Sequence, residues 1–252
     1  MCVSPFSIQT LWHVYCNCCG VAVCLRLASN QRNGATAMLT NKLSKKGQKL
    51  IAMYTTMANE GYQTSAGEKI EEAYNDFELR KVRDFVLSKF VEYKIASVLD
   101  YGCGGSDWTK PGFDGVKSAK DFFKLKSVYR YEPARSLDQR KRADAVVCFD
   151  VLEHIFVSDV ANIIRDIFSY SKKLVIINVA CYEARALLPN GENAHVTVRN
   201  ASWWKGVIDS VSTEFPGINV NLICSSAYNQ MTAFPTFSDR MRQKDKNFCI
   251  EY

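Results

Sequence analysis

The first fifty residues contain no aspartate or glutamate, although the chain has 26 acidic residues. Arg26, Arg32, Lys42, Lys45, Lys46 and Lys49 fall in this stretch, so it carries the whole net charge of +6 and the remainder is neutral. That balance excludes a global electrostatic footprint for a polyanion on the body of the protein. Only the basic leader is left to touch phosphate or anionic lipid, and nucleic acid stays open as a partner through it alone. The chain also lacks a long clean apolar run. Its best stretch, Leu11 to Leu25, is short for a membrane span, contains His13 and Asn17, and has no basic n-region, which argues against membrane insertion and against a secretory signal. A cytoplasmic protein without membrane contact is expected. Five of the ten cysteines, Cys2, Cys16, Cys18, Cys19 and Cys24, crowd the first 24 residues. Cys16-x-x-Cys19 beside His13 has no second Cys/His pair at finger-like spacing, so zinc is not supported and no metal is expected.

What is present reads as globular: 47% hydrophobic and 23% charged residues in a chain of 252, enough for one sizeable core. Composition divides it into a leader over 1–37, expected to be weakly ordered, an N-terminal helix and loop over 38–67, and a domain over 68–252. Met38 opens the segment whose composition matches the rest, so the leader is compatible with translation from an upstream start. The loop carries Tyr62, either a lid residue over a binding site or a plain surface tyrosine. From Glu68 to about Tyr93, Ile70, Tyr74, Phe77, Val82, Phe85, Phe90 and Val91 recur at helical spacing, the pattern of an amphipathic helix packed on a sheet.

The most informative stretch is Ala96 to Trp108, ASVLDYGCGGSDW. A short β-branched run ends in Asp100 and opens into Gly102, Gly104 and Gly105, where a ligand can lie against bare backbone. A dinucleotide fingerprint, G-x-G-x-x-G, would place a third glycine at 107. Asp107 stands there, and no Tyr-x-x-x-Lys pair follows, so nicotinamide and nucleotide-sugar enzymes are disfavoured. The next strand, Ser127 to Tyr131, ends in Glu132, an acid that can accept from both hydroxyls of a ribose or simply finish a strand at the surface. Ala145 to Phe149 is a third apolar run, followed by Asp150, Val151, Leu152, Glu153 and His154. Val157 to Ser169 reads as a helix, Lys173 to Val179 as a fifth buried strand, Ser202 to Phe215 as a helix capped by Ser202, and Ile218 to Ser225 and Phe248 to Tyr252 as further strands.

Asp100-x-Gly102-x-Gly104 resembles the first motif of class I S-adenosylmethionine-dependent methyltransferases, and the Asp-Val-Leu-Glu-His run after Phe149 resembles their fourth-strand motif. The two occur in the right order over about residues 96 to 205. Ser106 stands where a further glycine is common. The resemblance implies a doubly wound, mostly parallel Rossmann-like α/β sheet and S-adenosylmethionine as cofactor. It implies cofactor contacts from Asp100, Gly102, Cys103, Gly104, Glu132, Asp150 and Val151, with Glu153 and His154 lining the rim or capping the next helix. Only about a dozen residues separate Glu132 from the following strand, so the family's third strand is shortened or missing, and Asp138 is a weak candidate for the adenine contact. In the loop after the fifth strand, Asn193, His195 and Trp203 are the substrate-side candidates. A base to take the acceptor's proton would come from Asp150, His154 or His195, although His195 could equally brace its loop. The expected activity is methyl transfer to an acceptor, taken to be a small molecule. The alternative is a non-catalytic nucleotide-binding or RNA-binding module on the same fold.

Overall fold

The computed structural model describes residues 43–71, 76–227, 230–236 and 248–251; the proposed leader, with its cysteines and His13, lies outside them. Among the described residues, ten strands and six α-helices follow in chain order: α1 (Lys45–Glu60), β1 (Tyr62–Gln63), β2 (Lys69–Ile70), α2 (Phe77–Lys81), α3 (Arg83–Glu92), β3 (Ser97–Tyr101), α4 (Ala119–Phe122), β4 (Ser127–Glu132), β5 (Leu137–Asp138), β6 (Ala143–Phe149), α5 (Val157–Ser169), β7 (Ser171–Ala180), α6 (Ala201–Ser212), β8 (Asn219–Ala227), β9 (Gln230–Thr236) and β10 (Phe248–Glu251).

Eight strands form one mixed sheet in the order β10-β9-β8-β7-β6-β3-β4-β5. The five central strands, β8, β7, β6, β3 and β4, are mutually parallel, and β9, β10 and β5 run antiparallel to their neighbours at the two edges. Their apolar runs explain this centre. Along β6, Val146 and Cys148 turn to one face while Ala145 and Val147 turn to the other; along β7, Val175 and Ile177 oppose Leu174 and Ile176. One face packs against α5 and α6 through Ile164, Ile167, Trp204 and Ile208, the other against α3 and α4 through Val86, Phe90 and Ala119. A sheet with helices on both faces is doubly wound, and it buries its parallel strands from both sides. The order of the parallel strands reverses between β3 and β6, which makes their shared carboxyl end the switch point where such sheets bind ligands.

The structure corrects several boundaries. The expected helix from Glu68 to Tyr93 is divided: Lys69 and Ile70 pair with Gln63 and Tyr62 across a turn at Gly67, φ 82°, and the helical part is broken at Val82 between α2 and α3. Leu79, Val82, Val86 and Phe90 keep one buried face across the break, whereas Phe77 and Val91 fall off that face and are exposed. Asn200, not Ser202, caps α6 by accepting from the Trp203 amide, and that helix ends at Ser212. β9 has no counterpart in the sequence reading. Between β4 and β6 the chain forms only β5, two residues that run antiparallel to β4.

Candidate active site

Beyond the carboxyl ends of β3, β4 and β6 lies a cavity of about 450 Å³, within the range of small-molecule sites. Its floor is the glycine turn. Gly102 sits at φ 78° and Gly104 at φ 55°, and a Cβ on Gly102 would come within 2.4 Å of Val151 Cγ2, so the turn after β3 and the turn after β6 touch only because that side chain is missing. The Gly102 and Cys103 amides both donate to the Tyr131 carbonyl, at 2.8 and 3.1 Å, tying the turn to the end of β4. Glu132 completes the tie. Its Oε2 accepts from the Gly104 amide at 2.9 Å and its Oε1 from the Ala134 amide at 3.0 Å.

Asp100 is buried at the bottom of the turn, where its Oδ2 accepts from Trp108 Nε1 at 2.7 Å. Burial pushes its carboxyl up to about 7, helped by the Glu132 charge and opposed by the Trp108 bond. Burial likewise raises the Cys103 thiol. Asp100, Gly102, Cys103, Gly104, Glu132, Asp150 and Val151 all line the cavity, so the structure brings every expected cofactor residue to one place. Asp138 is elsewhere: its carboxylate is held by Arg140 at 2.7 Å and does not line the cavity.

The opposite wall starts at Asp150, a non-glycine residue held at φ 56° with its amide donating to the Asn178 carbonyl at 3.1 Å. Such a conformation is costly for a residue with a Cβ, and it aims the Asp150 side chain away from the strand direction. Its Oδ2 lies 3.9 Å from His154 Nε2. Burial works to raise the Asp150 carboxyl, but His154, then His195 and Glu153, hold it down at about 2. His154 is buried in a tight 3₁₀ turn, Leu152–His154, with Nδ1 at 2.9 Å from the Ala194 carbonyl. His195 is buried beside it, the two ring centroids 4.6 Å apart, and its Nδ1 lies 2.5 Å from the Tyr182 carbonyl. Burial first, and His154 second, lower His195 to about 4.

Glu153 departs from expectation. It neither lines the rim nor caps α5: it is completely buried, accepts from the Ala180 amide at the end of β7, and burial next to the Asp150 charge raises its carboxyl well above the usual range. Asn193 is not free to meet a substrate, since its amide group donates to the Ala184 carbonyl and accepts from the Ala184 and His195 amides. It braces the loop. Trp203 lies on α6 against Trp204 and Arg199 and is not part of the cavity wall. His195 contacts His154 but does not itself line the cavity.

A residue with no assigned role in the sequence completes the wall. Tyr54, on α1, places its hydroxyl 2.5 Å from His154 Nδ1 and donates to the Ala194 carbonyl at 2.9 Å. α1 lies along the cavity through Gly47, Leu50, Ile51 and Ala58, followed by Tyr62. It is pinned there by its cap: the Ser44 hydroxyl donates to Asp159 Oδ2 on α5 at 2.6 Å and accepts from the Gly47 amide at 3.1 Å. In this segment the sequence singles out Tyr62 and gives Tyr54 no role.

The fold and site therefore define a doubly wound, Rossmann-like α/β protein with its pocket at the switch point of the sheet. No family model matches the chain, nor does any curated protein or solved structure. Among the described residues no helix is long and apolar enough to cross a membrane.

Proposed function

We propose that the cavity binds S-adenosylmethionine and that the protein transfers its methyl group to an acceptor entering beside Asp150 and His154. The charge of the cavity wall carries this reading. Among the described residues it holds five carboxyl groups and one guanidinium, Arg135; Asp76 and Glu78 are ion-paired with Arg80 and Lys81 and the Asp100 carboxyl is pushed up to about 7, so Glu132 and Asp150 set the negative charge at the glycine turn. A pyrophosphate would be repelled in that field, whereas a sulfonium gains from it. Glu132 retains acceptor capacity, because each of its oxygens has one backbone donor and a carboxylate offers about four lone-pair sites. Both hydroxyls of a ribose can share what is left.

The sulfonium is already a good leaving group, so the chain's contribution is to hold donor and acceptor in line and keep water away. Leu50, Ile51 and Phe156 supply an apolar wall for that purpose. Asp150 and His154 form the polar end, with His195 packed behind His154, and there the acceptor's proton is handled. Calorimetric titration tests the reading: saturable binding of S-adenosylmethionine and none of NAD is expected, followed by S-adenosylhomocysteine production when a small-molecule extract is supplied. Binding of NAD, or no binding of S-adenosylmethionine by the folded chain, would overturn it.

A further inference from the structure

Three side chains around the polar end converge more closely than acid–base work requires. One ligand-capable atom from each of Asp150, His154 and His195 lies within 4.8 Å of the other two. These are two of the chain's three histidines, brought together with an aspartate from across 45 residues of sequence. We infer that Asp150, His154 and His195 form a binding site for a first-row divalent cation, with open positions facing the cavity.

The hydrogen bonds support this assignment. Each imidazole has Nδ1 against a backbone carbonyl, Ala194 for His154 and Tyr182 for His195. A carbonyl oxygen only accepts, so Nδ1 of His195 carries the proton and its Nε2 keeps its lone pair; Nδ1 of His154 faces the Tyr54 hydroxyl as well as a carbonyl, and the same tautomer follows there when the hydroxyl donates to Ala194. Tyr54 tightens the arrangement at His154 while donating its own proton to the Ala194 carbonyl. Metal-binding histidines are oriented in this way, the far nitrogen donating to a carbonyl or carboxylate. Both rings are buried and sit edge to face, so protonating the pair would set two positive charges 4.6 Å apart at the ring centres. A cation bound between neutral rings and an anionic Asp150 avoids that repulsion.

A second observation points the same way. Glu153 is fully buried next to Asp150; burial and the Asp150 charge raise its carboxyl, so it stays neutral and donates to the Asp150 carboxylate, holding that ligand anionic and in place as an outer-shell partner does. The strained φ of Asp150 has a use here, since it turns the carboxylate toward His154 rather than along the strand. Two nitrogens and one oxygen select the transition-metal divalents over magnesium or calcium, which prefer oxygen alone. Ligand atoms around such an ion lie about 3 Å apart, given metal–ligand bonds of about 2.0–2.2 Å, so the three groups must draw in by about an ångström. Asp150, a third exposed at its side chain, has the freedom to do so. Since Asp150 and His154 line the cavity, the remaining coordination positions suit an oxygen donor such as a hydroxyl or carboxylate. On the methyl-transfer reading, on which this last step alone rests, that donor is the acceptor.

The test uses the full chain stripped with chelator and titrated with Co²⁺ and Zn²⁺, following visible absorption and calorimetry. One ion per chain is expected at this site, with affinity lowered at least tenfold in His195→Ala and Asp150→Asn and about tenfold in Tyr54→Phe, the range for an outer-shell partner. Thermal melts establish that each variant is folded, and Tyr54→Phe serves as the mild substitution. Absence of cobalt bands in the folded wild-type chain would overturn the site. So would binding unchanged in His195→Ala but lost when Cys16 and Cys19 are replaced, which would place the ion in the leader. Calorimetry of S-adenosylmethionine in chelator separates the two readings: cofactor binding without metal binding defeats the cation site alone, and metal binding without cofactor binding defeats methyl transfer alone.

Discussion

At the scale of single residues, the site is organised by carboxylates in different surroundings. Glu132 is half-buried and has four hydrogen-bonding sites of which two are filled by the Gly104 and Ala134 amides. Glu132→Ala is therefore expected to lower S-adenosylmethionine affinity by about 1.5–3 kcal/mol, the range for a hydrogen bond to a charged group, as read by calorimetry. Unchanged affinity would move the ribose contact elsewhere. Asp100 is the contrasting case, with a carboxyl pushed from 3.8 up to about 7 by burial. The unfolded chain has lost this proton where the folded chain still holds it, so the native state binds the extra proton across that window. Stability is then greatest below the lower value and falls as pH rises toward the upper one, by at most about 1.4 kcal/mol per pH unit. Asp100→Asn keeps an acceptor for Trp108 and cannot ionise. Its stability relative to wild type should climb from about pH 4 to about pH 7 and then level off in urea denaturation. A difference independent of pH would show that Asp100 titrates normally.

At the scale of elements, α1 decides whether the cavity is closed. The helix is held by Leu50 and Met57, by the Tyr54 hydroxyl at His154 and Ala194, and by its cap at Ser44, whose hydroxyl and amide both donate to Asp159. Ser44→Ala removes the side-chain cap and strands one oxygen of a buried carboxylate. A loss of about 1–2 kcal/mol is expected. Hydrogen exchange should locate the loss: amides of α1 should lose protection before those of β6 and β7, which are buried on both faces of the sheet. Uniform loss along the chain would mean that α1 and the sheet open as one unit.

At the scale of the whole molecule, the composition of the chain separates leader from domain. Residues 1–37 lack the charge balance of the rest, with Arg26 and Arg32 and no acidic side chain. Deleting 1–37 should leave the melting temperature and S-adenosylmethionine affinity nearly unchanged. A drop of several degrees would place the leader in the folding unit.

The sequence by itself determined the layered α/β architecture and the floor of the pocket. Alternation along β6 and β7 is a local property, because a strand buried on both faces must be apolar at every position, and the Asp100-to-Gly104 turn announces its backbone geometry in its own glycines. Glu132 and Asp150 were legible for the same reason, each being the residue that follows a recognisable strand. Only the tertiary structure decided the other wall. Tyr54 and His154 are 100 residues apart, and no periodicity in either segment records that α1 returns across the sheet to meet the turn after β6. The loop after β7 misled because Asn193 and His195 carry the residue types of chemistry, yet Asn193 is spent on backbone groups and His195 reaches the cavity only through His154. Local pattern specifies which face of an element is buried. Which ends of distant elements meet, and so whether one aspartate and two histidines can share a cation, depends on how the helices close over the sheet.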